Sequence, residues 1–150
     1  MDDDLFILEK KIKDINELYN KCKIQNWIID RELKECLYDL LGWFEICFKK
    51  LKGLNKLDEE KVSAIKYANN VKKHSESIFR HTTETFALYP SSDLFPSKDL
   101  YPSDFNIFWN TLPLDNPKYT NQYNNYSKHL EGKEIIPTLD EIFTIIKKYY

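Results

Sequence analysis

Glycine is scarce in this 150-residue chain: there are three, Gly42, Gly53 and Gly132, widely separated. That excludes a glycine-rich loop cradling the phosphates of a nucleotide. Arginine is scarcer, with only Arg31 and Arg80 among 22 basic side chains. The other cations are lysines, a bias that together with many Ile, Asn and Tyr residues points to an AT-rich genome. The three cysteines, Cys22, Cys36 and Cys47, are an odd number without CxxC or Cys/His ligand spacing, so free thiols are expected and a structural zinc is not. If residues 30 to 50 are helical, Cys36 and Cys47 lie about 16 Å apart along the axis, too far for a disulfide. No window approaches the ~20 consecutive apolar residues of a membrane span. The start MDDDLF is acidic where a secretory signal is basic and then apolar. A cytoplasmic protein without membrane contact is expected.

Charge of either sign is not in excess. There are 22 Lys+Arg against 24 Asp+Glu, a formal net charge of −2. Residues 1–57 carry 11 basic and 11 acidic side chains, 58–88 carry 5 and 5, and 119–150 carry 4 and 4. The excess lies wholly in 89–118, with 2 basic and 4 acidic. With no basic arm, the chain is not expected to hold duplex DNA by neutralising many phosphates. What is present, 42% hydrophobic and 31% charged residues, describes one globular domain and excludes disorder and collagen-like repeats.

The apolar spacing predicts an all-α helical bundle. Leu5, Leu8, Ile12, Ile15, Tyr19 and Cys22 recur every three or four residues behind Asp2, Asp3 and Asp4, acids that favour a helix start. Ile29, Leu33, Cys36, Leu40, Phe44, Phe48 and Leu51 form a second stripe, ended by Gly53. A third helix is expected from an Asp58 cap, with Leu57 packed on Val62, to about Leu88. Three long helices over 1–88 thus make the core of a single domain. An irregular segment follows over 89–118, where YPSSDL, FPSKDL and YPSDF repeat an aromatic-Pro-Ser unit. Proline every sixth residue forbids a continuous helix, so turns that pin aromatics on the bundle are expected, with a stacking platform as the alternative. Phe105, Ile107, Phe108, Trp109 and Leu112 then suit a short helix or extended piece. Over 119–150 a helical tail is expected, with a helix through Tyr123, Tyr126 and Leu130 stopped at Gly132. A last helix would be opened by a Thr138–Glu141 capping box, with Leu139, Ile142, Phe143, Ile146 and Tyr149 as its apolar face. Trp27, Trp43 and Trp109 read as core or core-edge residues, His129 as a surface residue, and Gly42 as room for close helix packing.

Chemistry concentrates on the third helix, whose apolar pattern is broken by Asn69, Asn70, Lys72, Lys73, His74, Ser75, Glu76 and Ser77. Lys66, Lys73 and Arg80 are spaced by seven, with Tyr67, His74 and His81 in a parallel row. Cations beside an imidazole and a tyrosine ring suit holding a phosphodiester and moving a proton from a ribose hydroxyl. A solvated charged face is the alternative. His74 and His81 lie about 10 Å apart along a helix, a poor spacing for one metal, so neither a metal nor another cofactor is expected.

The run Ala68-Asn69-Asn70-Val71-Lys72-Lys73-His74 resembles the motif of HEPN domains, small all-α proteins of prokaryotic defence and toxin systems. That motif is an arginine, four residues of which the first is usually polar, and a histidine. In the family two copies meet in a homodimer to form a metal-independent RNA-cleaving site. His74 matches the histidine and Asn70 the polar residue, while Asn69 stands in the arginine's place. A broader similarity over residues 62–145, carried by YANNVKKH, Trp109, YSKHLEGKE and PTLDEI, is to small uncharacterised bacterial helical proteins. The resemblance implies a homodimer that binds or cleaves RNA in a bacterial defence, toxin–antitoxin or phage-related system. His74 would act as general acid or base and Asn70 would position the phosphate. With Asn69 in place of arginine, Lys73 or Arg80 would supply the cation, and Lys66, His81 and Tyr67 would add RNA contacts. The alternative is a non-enzymatic protein-interaction module, an antitoxin, immunity factor or phage inhibitor, whose polar patch or aromatic repeat contacts a host or phage protein.

Overall fold

The computed structural model describes residues 3–25, 30–72, 77–82, 106–114 and 116–150. Five α-helices and one small sheet account for most of them: α1 (Asp3–Gln25), α2 (Asp30–Phe48), α3 (Lys56–Lys72), β1 (Phe79–Thr82), β2 (Asn106–Trp109), α4 (Thr120–His129) and α5 (Ile135–Tyr149). A 3-10 turn, Pro117–Tyr119, leads into α4. The fold is all-α, as the apolar spacing predicts. No described helix is long and apolar enough to cross a membrane.

The two N-terminal stripes become two faces of one core. Leu8, Ile12, Ile15 and Tyr19 of α1 are buried, as are Leu33, Leu37, Leu40, Leu41, Phe44, Cys47 and Phe48 of α2. Ion pairs Lys11–Asp39 and Lys50–Asp4 align the helices antiparallel. Gly53, at φ 74°, turns the chain into α3 in a conformation that residues with a Cβ seldom adopt. The cap of α3 is Asn55, whose Oδ1 accepts from the Asp58 amide at 2.8 Å, rather than Asp58 itself. Leu57 remains half exposed at 52% and does not staple the helix start.

The third helix stops well short of the expected Leu88. It ends at Lys72, and Phe79–Thr82 forms an antiparallel strand with Asn106–Trp109, in the register Phe79↔Trp109 and Arg80↔Phe108. Ile78 and Phe79 keep helix-like spacing from Val62 and Ile65, yet both are buried through the sheet instead. The cluster around Trp109 is therefore extended. Its other edge is bonded to the α4–α5 connection, Trp109 N–H to Lys133 O at 3.0 Å and Gly132 N–H to Trp109 O at 2.9 Å.

Trp109 is fully buried and donates from Nε1 to Thr138 Oγ1 at 2.8 Å; Thr138 passes its own proton to Ile135 O at 2.6 Å. The Thr138 hydroxyl is thus committed inside the core, and α5, with Glu134 at its N-cap, begins four residues earlier than the Thr138–Glu141 box implies. Leu139, Ile142, Phe143 and Ile146 are buried as expected. At the far end of α5 the two tyrosines reach back across the bundle. Tyr149 donates to Asp58 Oδ2 and Tyr150 to Asp4 Oδ2, each at 2.7 Å, with Lys148 and Lys50 beside the same carboxylates.

Candidate functional site

Adjacent residues on a helix point about 100° apart, and on α3 that rotation separates the two asparagines of the motif. Asn69 turns inward to α2. It is 1% exposed, its Nδ2 donates to the Glu45 carboxylate, and its Oδ1 is buried with no hydrogen-bond partner among the described residues. One turn on, Lys72 crosses to the same helix and donates to the Tyr38 carbonyl, with its ammonium 5.7 Å from the Tyr38 ring centroid. Gly42 lies between Tyr38 and Glu45 on α2, and a Cβ there would sit 3.9 Å from Lys72 Nζ. That is an ordinary van der Waals contact, so neither the ammonium nor a close backbone approach requires glycine at this position. Tyr38, Glu45, Asn69 and Lys72 together form a half-buried polar seam between α2 and α3.

Asn70 faces the other way, toward α4. Half-buried, it donates from Nδ2 to Gln122 Oε1 at 3.3 Å. Lys66 shares this side of α3, one turn earlier, and is also half-buried. Tyr67 turns into the core at 4% exposure, with its hydroxyl on the Pro113 carbonyl and its ring against Tyr123 and Tyr126. Arg80 lies on β1, exposed, with its guanidinium 5.4 Å from the Phe108 ring centroid. Lys66 and Arg80 therefore do not share one helix face, because one lies on α3 and the other on β1. His81 is placed on β1 by its backbone. Lys73 and His74 lie outside the described residues, as do Trp27 and the whole aromatic repeat.

Three features were not read from the sequence. Glu45 faces Asn69 from 24 residues away and Gln122 faces Asn70 from 52, so neither partner has a local signal. His129, expected at the surface, is 9% exposed and contacts Glu60 through Nε2 at 2.8 Å. That contact, followed by the one from Lys128, holds the Glu60 carboxyl below the usual glutamate range.

No group of three or more His, Cys, Asp or Glu side chains among the described residues is arranged to hold a metal. Among the described residues, one cleft of about 280 Å³ lies between α3 and α5 and another of about 210 Å³ lies beside Tyr19, Asn106 and Pro137. Both fall below the ~300–1,000 Å³ of usual small-molecule sites. The larger is lined by charges already paired, Lys61 with Glu141 at 3.5 Å and Lys148 with Asp58 at 3.4 Å. Compared with known proteins, the chain matches no family model, no curated protein and no solved structure.

Proposed function

We propose that this protein is a HEPN-like helical domain that binds RNA without cleaving it, in a bacterial defence, toxin–antitoxin or phage-related setting. One observation carries the reading: the residue in the arginine's place is buried against an acid, while the polar side of the same helix stays at the surface. Asn69 gives its amide to Glu45, so an acid lies beside the residue that stands where the resemblance would put a cation. Removing one preorganised group that stabilises developing charge typically costs ~10²–10³ in rate. An acid in its neighbourhood opposes the same charge. Lys66 and Asn70 keep the contacts that binding alone needs.

The test is incubation of structured and unstructured RNA with the wild-type protein and with His74→Ala, alongside fluorescence-anisotropy binding. The expected result is equal background cleavage for both proteins together with saturable, salt-sensitive RNA binding. Cleavage that disappears in His74→Ala overturns the non-catalytic part. Absence of binding to any RNA at physiological salt overturns the RNA part and leaves the protein-interaction module. The homodimer implied by the resemblance belongs to the same proposal, and sedimentation of the free protein at twice the monomer mass is the result expected for it.

A further inference from the structure

Helices α3 and α4 lie antiparallel and in contact, joined at one end by Asn70–Gln122 and at the other by Glu60–His129. Between these two ties the sequence has an uneven charge. Residues 61–72 contain no Asp or Glu, and neither do residues 116–130. At the chain's average of 24 acids in 150 residues, these 27 positions would hold about four. Two acid-free stretches 44 residues apart in sequence are brought side by side by the fold.

What occupies the surface there is amide, hydroxyl and a little positive charge. Gln122 and Asn125 of α4 are half-buried beside α3, and Asn121 and Asn124 are exposed. Antiparallel packing places Asn125 at the level of Lys66, one turn from the Asn70–Gln122 tie. Tyr119 and Tyr123 are half-exposed on the same helix and the turn before it. Lys61 and Lys128 are paired with Glu141 and Glu60, whereas Lys66 and Lys118 make no ion pair among the described residues. Carboxamides offer the adjacent donor and acceptor that match a base edge, adenine above all. The half-exposed rings of Tyr119 and Tyr123 lie on the other flank of α4, about 200° round from Asn121 and Asn125, with Tyr123 packed on Tyr67, and stand apart from these amides. Two free lysines are too few to hold a duplex by its phosphates.

We infer that the flank of the α3–α4 groove that carries Lys66, Asn70, Gln122, Asn125 and the exposed Asn121 is where single-stranded RNA lies, read mainly through its bases by these amides, with adenine preferred. This placement rests on the RNA-binding reading above and adds the surface and the class of sequence. Few phosphate contacts also fix the salt response. At about −0.7 per neutralised phosphate for single strands, Lys66 and Lys118 together give a slope of log K against log salt of about −1.4.

The full chain is titrated by anisotropy with labelled 12-nucleotide oligo(A), oligo(U) and the DNA oligo(dA). Variants are Asn121→Asp/Asn125→Asp, which adds two acids on the amide-bearing flank of α4, and Lys66→Gln. Asn20→Asp on the exposed side of α1 is the control, and thermal melts confirm folding. Expected are tighter binding to oligo(A) than to either other strand and roughly ten-fold weaker binding in the double acid variant. Lys66→Gln is expected to lower the salt slope by about 0.7, and the control to match wild type. If wild type binds oligo(A) and the double variant binds it equally, the groove is overturned while the RNA-binding reading stands. Equal affinity for oligo(U) overturns readout by the amides, and equal affinity for oligo(dA) overturns RNA as the class. Binding to none of these strands while structured RNA is bound overturns the single-strand placement, and binding to no RNA of either kind overturns the underlying reading itself.

Discussion

Asn69 carries an unfavourable term that its neighbours do not relieve. Its Oδ1 is buried without a donor among the described residues, a situation that costs about 1–3 kcal/mol, and its amide is already committed to Glu45. Replacing it with a second acid makes the direction plain. Asn69→Asp is expected to lose about 2–4 kcal/mol at pH 7 by urea unfolding, because two carboxylates would face each other out of water. The loss should shrink at pH 4, where the new carboxyl, its folded pKa raised by burial and like charge, takes up a proton. A pH-independent loss would mean that shape rather than charge sets the site. Glu60 behaves oppositely. His129 first and Lys128 second lower its folded pKa, so its contribution is fully present above the unfolded value of about 4.3 and is lost as pH falls toward the folded one. Glu60→Gln should therefore flatten the acid limb of stability against pH while leaving the region above pH 6 parallel to wild type. None of these partners was legible beforehand. Two neighbouring asparagines look alike in a sequence, and only the rotation of α3 sends one to the core and the other to the rim.

At the scale of elements, α1, α2 and α5 were readable because each buries one face at helical spacing, and that spacing is a property of the segment alone. The end of α3 was not. Ile78 and Phe79 fit a helix by period, and what makes Phe79–Thr82 a strand is its pairing with Asn106–Trp109, from 27 residues away. Likewise Thr138 and Glu141 have the spacing of a capping box, but the Thr138 hydroxyl is taken by Trp109. Gly42 shows a third kind of ambiguity. Its place amid Leu41 and Trp43 suggests tight helix packing, yet a Cβ would meet only Lys72 Nζ at an ordinary 3.9 Å. Gly42→Ala should consequently stabilise the protein by about 0.5–1 kcal/mol, since a mid-helix glycine loses more backbone entropy on folding than alanine does. Chemical denaturation measures this directly, and a destabilised variant would mean that Lys72 cannot give way.

For the whole molecule, charge totals hid the feature on which the proposed RNA surface rests. Counted in blocks, residues 58–88 and 119–150 are each neutral. Their acids lie at Asp58, Glu59, Glu60, Glu76 and Glu84 and from Glu131 onward, so the stretches between are acid-free, and only folding sets those stretches against each other. The tyrosine contacts at the end of α5 have a consequence of another kind. The Tyr150–Asp4 bond joins positions 146 residues apart, so forming it closes nearly the entire chain into one loop. Loop closure of that length costs entropy that earlier, shorter-range contacts must first repay. The clasp should then form after the folding barrier has been crossed. Tyr150→Phe is expected to accelerate unfolding in stopped-flow denaturant jumps while leaving the refolding arm of the chevron unmoved. A slowed refolding arm would place the contact in the transition state. A clasp made last is the first thing released, which makes the joined ends of α1 and α5 the point from which this bundle opens.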